Sequence, residues 1–191
     1  MGTIKATNIE PIADNGTVTL GSSGDTITVP TGVTVGGGIS NTPAFEAIMS
    51  TSSQSISHAT FTKIQVDTKI LDTDTAYDNT TNYRFTVPSG KGGKYYCFGQ
   101  VRGGANNSTD LRYFDTSIRL NGSNKLISEN DFRDSYSRAH GINVSGILDL
   151  SAGDYLELWT YMHDNDGSGE FASGNATTFR SWFGAYRLIG V

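Results

Sequence analysis

Leu148-Asp149-Leu150-Ser151-Ala152-Gly153-Asp154-Tyr155-Leu156-Glu157-Leu158-Trp159-Thr160-Tyr161 decides the fold class. Two apolar runs flank the turn residues Ser151-Ala152-Gly153. Ile142, Val144, Ile147, Leu148 and Leu150 supply the first run, and the Leu- and aromatic-rich stretch after Asp154 the second. Short apolar runs bounded by Gly and Ser read as strands joined by a tight turn. The same reading extends in both directions. Upstream, Phe61–Val66 and Tyr83–Val87 alternate apolar and polar residues, Lys94–Val101 is rich in aromatics, and Tyr113–Leu120 ends at Asn121-Gly122. Asn-Gly between such runs is a strong hairpin signal. Downstream, Thr178–Leu188 forms a last aromatic strand. Ala44–Met49 is the one stretch that reads as briefly helical. Many short strands with Gly-rich turns predict an all-β fold, a β-sandwich or a jelly roll.

Composition agrees. Of 191 residues only 17% are charged, below the usual quarter, while Gly, Ser, Thr and Asn make up about two-fifths. Both features disfavour a helix bundle or coiled coil. The formal net charge is −5, which argues against a nucleic-acid-binding surface. No apolar run approaches the 18 residues of a membrane-spanning helix, so no membrane insertion is expected. Met1–Thr7 lacks the apolar core of a secretory leader. The single cysteine, Cys97, lies in the strand-like run Tyr95-Tyr96-Cys97-Phe98 and reads as a buried, inert thiol.

Residues 1–41 differ from the rest. No aromatic residue precedes Phe45. Thr17–Leu20 and Thr26–Val29 alternate polar and apolar residues, punctuated by Gly21-Ser22-Ser23-Gly24 and Pro30-Thr31-Gly32. Such a segment is too poor in apolar area for a core of its own and needs partner strands. The expected organisation is therefore a short-strand shaft or anchor with a Gly linker over 1–41, and a folded knob over 42–191. Ile4, Ile9, Val18, Leu20, Ile27 and Val29 are the side chains that would bury themselves in a trimeric shaft or on a particle.

The order of motifs in the knob resembles the C1q/TNF-like jelly-roll domain. The matching pieces are Pro43–Ala47, then Phe61, Tyr77-Asp78 and Tyr83–Pro88. They continue with Gly93–Phe98, Ile118–Gly122, Leu148–Leu158, Thr178-Phe179 and Phe183–Leu188. The loop Pro88–Gly93 and the extra Arg180-Ser181-Trp182 depart from that pattern. The resemblance implies a ten-strand antiparallel sandwich that forms compact trimers, used for recognition outside cells and not for catalysis. Ala13–Pro30 is similar to the short repeats in fibres of tailed bacteriophages, particularly marine ones. Together these resemblances imply a virion structural protein: a short homotrimeric fibre, on the head or as a decoration or accessory tail fibre. Its N-terminus would dock on capsid or tail proteins, and its knob would bind a host surface receptor or glycan. A secreted C1q-like carbohydrate-binding or adhesion module is the alternative.

Chemistry-bearing motifs are sparse. No nucleophile elbow, phosphate loop or zinc-protease motif is present, and no enzyme activity or cofactor is expected. His58, His140 and His163 show no repeating metal-ligand spacing. Asp164, Asp166 and Ser168, with Gly169 at the sixth position, resemble the first half of a calcium loop, but the twelfth position is Asn175. Turn chemistry explains the same composition. Phe132, Arg133, Tyr136 and Arg138 mix aromatic and guanidinium groups and form the candidate receptor-contact loop.

Overall fold

A computed structural model describes residues 41–106, 111–133, 135 and 137–189, together with residues 9, 18, 19, 21–26, 28 and 31. The chain divides into two units, Met1–Gly38 and Ile39–Val191. In the first, a turn is closed at Ser22–Asp25. Asp25 N–H donates to the Ser22 carbonyl at 3.0 Å, and Ser22 N–H donates to Asp25 Oδ2 at 2.6 Å. Ile9 and Val18 are exposed there. Ile4, Leu20, Ile27 and Val29 lie outside the described residues.

Among its described residues the second unit has thirteen strands, all antiparallel to their partners, and no helix. The strands are β1 Ala44–Ile48, β2 Gln54–Ile56, β3 Thr62–Lys63, β4 Thr68–Asp72, β5 Tyr77–Asp78, β6 Arg84–Thr86 and β7 Gly93–Ala105. They continue with β8 Leu111–Leu120, β9 Ser123–Asp131, β10 Ala139–Leu150, β11 Tyr155–Asp164, β12 Glu170–Ala172 and β13 Trp182–Arg187. Ala44–Ile48 is a strand, which corrects the helical reading of that stretch. Its backbone pairs with β13 on one side and β4 on the other, and Phe45 and Ala47 point together into the core. Ladder pairing and period-2 burial override a weak local helix preference.

Two sheets form a sandwich-like arrangement. In the first, β7 is the spine. β10 runs along one edge of it, while β13 and β12 lie end to end along the other. The order continues outward from β13 to β1 and β4, and from β12 to β2. In the second sheet β11 is the spine, with β8 and then β9 on one side and β6 and β3 sharing the other. The β8–β9 connection is the hairpin announced by Asn121-Gly122. Both residues have positive φ, 51° and 80°, as a type I′ turn requires.

The core fills the space between the sheets. Phe45 stacks on Tyr77 and Phe85 at centroid distances of 4.9 and 4.6 Å and meets Phe183 edge-on at 5.1 Å. Each buried ring removes some 150–250 Å² from water, and each pair adds about 0.5–1.5 kcal/mol. The Tyr77 hydroxyl, buried with its ring, donates to the Val66 carbonyl at 2.9 Å. Cys97 is fully buried, and burial pushes its thiol up to about 12. It packs as a small apolar side chain.

Candidate functional site

Period 2 places alternate residues of β11 on opposite faces. Leu156, Leu158, Thr160 and Met162 are buried, whereas Tyr155, Trp159, Tyr161 and His163 are half-buried on the outer face. Their neighbours on β8 are set by register: Asp115 opposes Tyr161, and Tyr113 opposes His163. On β9, Asp131 opposes Tyr113 and Glu129 opposes Asp115. Phe61, just before β3, closes the upper side. The Phe61 and Tyr161 rings are 5.1 Å apart, and Tyr113 meets Tyr161 edge-on at 5.7 Å.

These side chains enclose an open groove of about 570 Å³. Its lining combines the rings of Phe61, Tyr113 and Tyr161 with Arg112, Arg133, Asp115, Asp131 and His163. Asp115 is 2% exposed and accepts the Tyr161 N–H at 3.0 Å. Burial pushes its carboxyl up to about 6, against the opposing pull of that hydrogen bond. The Tyr113 hydroxyl donates to Glu129 Oε2 at 2.5 Å. Burial and the Glu129 carboxylate hold that hydroxyl well above the usual tyrosine range. Beside the groove the Arg119 guanidinium lies 4.7 Å from the Phe61 ring and 4.1 Å from Trp159. Cation–π contacts of this kind fix an otherwise flexible side chain. Flat aromatic surfaces next to forked donors and carboxylate acceptors suit a ligand with both apolar C–H faces and many hydroxyls.

A second constellation lies next to it. β11 ends at Asp164 and β12 begins at Glu170, and the loop between them folds back so that the two carboxylates meet. The Asp164 N–H donates to Glu170 Oε1 at 2.9 Å. His58 reaches both from the turn after β2: its Nδ1 is 2.9 Å from Asp164 Oδ1 and 3.0 Å from Glu170 Oε1. His163, on the groove side, packs its ring 4.8 Å from that of His58.

The predicted site residues distribute unevenly. Arg133 lines the groove and pairs with Asp131. Phe132 turns inward, against the core and edge-on to His140 at 5.3 Å. Arg138 is exposed, and Tyr136 lies outside the described residues. In the acidic loop Asp164 accepts Gly167 N–H at 2.6 Å, Gly169 N–H at 3.0 Å and the Ser168 hydroxyl at 3.2 Å. Asp166 Oδ1 accepts Ser168 N–H at 2.9 Å. Ser168 is thus a donor within a turn, and Asp164 faces His58 and Glu170. The groove residues Phe61, Tyr113, Asp115 and Tyr161 are not among the site residues expected from the sequence. The outward set Tyr155, Trp159, Tyr161 and His163 of β11 was the signal for them, since a solvated face ordinarily carries few large rings.

A scan against protein-family models finds no match to this sequence, and a search of curated proteins finds none either.

Proposed function

We propose that the chain is a virion structural protein of a tailed bacteriophage, a short homotrimeric fibre with a C1q/TNF-like jelly-roll knob. The strand order supports the jelly-roll reading. Without β2, β3 and β12, and counting β5 and β6, which are as short, ten strands remain, five in each sheet, in the orders β4-β1-β13-β7-β10 and β5-β6-β11-β8-β9. Most steps between consecutive strands of this set change sheets, as in a doubled Greek key, while β1–β4, β5–β6 and β8–β9 each pair within one sheet.

The observation that carries the trimer is the outer face of the first sheet. Tyr96, Phe98 and Tyr186 form an aromatic patch there, with Tyr96 5.9 Å from Phe98 and 5.5 Å from Tyr186. Ile147 opposes Tyr96 across the ladder and is 59% exposed, and Leu71 on β4 is 48% exposed. Gly184 lies beneath the Phe98 ring, where an added Cβ would stand 2.4 Å from Phe98 Cζ. The ring is held flat against the sheet by the absence of a side chain. A largely aromatic face, with Glu46 of β1 standing between Gly184 and Leu71, fits association with further copies of itself. Packing through this face turns the second sheet, with its groove, outward. Three grooves then face the host surface, and weak contacts with a glycan gain avidity when they engage together. Residues 1–41 serve as shaft or anchor on capsid or tail.

The role of the anchor is tested by particle assembly. A chain lacking residues 1–38 is expected to keep its β circular-dichroism spectrum yet be absent from purified particles. Incorporation of the truncated chain at the wild-type level contradicts that role. The aromatic groove equally supports the alternative of a secreted carbohydrate-binding module. That reading predicts the protein in culture medium free of particles.

A further inference from the structure

We infer that His58, Asp164 and Glu170 form a binding site for one divalent cation of the Zn²⁺ class. The three side chains come from two distant parts of the chain, and their nearest ligand atoms all lie within 4.8 Å of one another. Two donors each about 2.1 Å from a tetrahedral cation stand about 3.4 Å apart. The 2.9 and 3.0 Å separations from His58 Nδ1 are slightly shorter, so His58 need only draw back a little to admit the ion.

The charge balance points the same way. Both carboxylate side chains are fully buried, whereas His58 is one-third exposed. Buried carboxylates need compensation. A protonated His58 brings one positive charge, and Nδ1 has a single hydrogen to divide between two oxygens. Glu170 Oε2, also buried, has no hydrogen-bond partner. A divalent cation bound by neutral imidazole compensates both carboxylates at once. The donor set selects its class: Ca²⁺ and Mg²⁺ take all-oxygen shells, while one imidazole with two carboxylates suits Zn²⁺.

The surroundings are those of a supported site. Gly167 N–H, Gly169 N–H and the Ser168 hydroxyl hold Asp164 in place, and Asp164 N–H holds Glu170. Second-shell hydrogen bonds of this kind fix ligand orientation. The turn carrying His58 is pinned to β11 by Ala59 N–H, which donates to the Met162 carbonyl at 3.0 Å. The exposed edge of His58 provides the way in. A bound cation would tie the turn after β2 to the β11–β12 loop, directly behind His163 in the groove wall.

The test is calorimetric titration of the full-length chain, stripped with a chelator, with ZnCl₂ and separately with CaCl₂ and MgCl₂. One Zn²⁺ per chain is expected, with far weaker Ca²⁺ and Mg²⁺ binding and at least a tenfold loss of Zn²⁺ affinity in His58→Ala. Because His58 is partly exposed, this variant is expected to fold, as circular dichroism will show. In the unmodified chain, Co²⁺ is expected to broaden the His58 ring resonances at lower concentration than those of His140. No Zn²⁺ binding by the wild type, undiminished binding by folded His58→Ala, or earlier broadening of His140 would each overturn the site.

Discussion

The outer faces of the two sheets both carry aromatic rings, but they carry them differently. On the first sheet Tyr96, Phe98 and Tyr186 cluster with one another, with Ile147 alongside Tyr96 and Leu71 farther out beyond Glu46. On the second, the rings of Phe61, Trp159 and Tyr161 are interleaved with Arg119, Asp115 and Arg133. A face whose rings contact mainly other apolar groups is best satisfied by a second protein surface. A face whose rings alternate with forked donors and carboxylates stays hydrated and takes a polar ligand. Aromatic content alone does not distinguish the two roles, whereas the neighbours of each ring do.

The comparison breaks most completely when the common support is removed. Phe45 packs on Tyr77, Phe85 and Phe183, at the junction of both sheets. Phe45→Ala is expected to cost about 3–5 kcal/mol in urea denaturation and to weaken both faces together. The next effect separates them. Tyr96→Glu with Phe98→Glu places charges on the first face only. Self-association is expected to fall by about 100-fold or more while the monomer keeps its fold, measured by light scattering and circular dichroism. Gly184→Ala is subtler. The new methyl collides with the Phe98 ring and stands 2.8 Å from the Phe45 carbonyl oxygen, so about 1–3 kcal/mol of stability is expected to be lost as the ring lifts.

On the second face, Tyr161→Ala is expected to leave the molar mass unchanged and to weaken glycan binding about tenfold on an array or by calorimetry. The smallest effect is a pH slope. Burial raises the folded-state carboxyl of Asp115 to about 6, above its unfolded value near 3.9. Below about pH 4 both states hold the proton and no penalty exists. Between pH 4 and 6 the unfolded chain loses the proton first, so stability falls as pH rises, and the penalty is complete above pH 6. Asp115→Asn is expected to flatten that slope and raise stability at pH 7 by about 1 kcal/mol in denaturant titrations at several pH values. Glu170, also raised by burial, contributes a slope of the same sign that this variant leaves in place.

Much of the sheet architecture was legible because it is written in period-2 alternation. Lys94–Val101, Tyr113–Leu120 and Asp154–Tyr161 all lie within or largely within observed strands, and Asn121-Gly122 marks the hairpin. Strands without an apolar signal were invisible. β9, Ser123–Asp131, is mostly exposed and polar, and it exists because its backbone completes the ladder of β8. β12 lies at the end of an acidic Gly-rich run with no apolar alternation, and its Glu170 is buried against Asp164 and His58. Phe61–Val66 yielded only Thr62–Lys63, because past Ile64, whose N–H still donates to the Leu158 carbonyl, the backbone donors turn to the Gln54 side chain and the Ile64 carbonyl. The groove and the His58 cluster each unite residues from several strands. Register and loop return, which bring Phe61 to Tyr161 and His58 to Asp164, have no local sequence signature.

The most direct measurement is the molar mass of the full-length chain by light scattering on a sizing column, across a tenfold range of concentration. A mass near three times 20.5 kDa is expected. A folded monomer of 20.5 kDa throughout that range would contradict the trimer and leave the aromatic face of the first sheet without its partner.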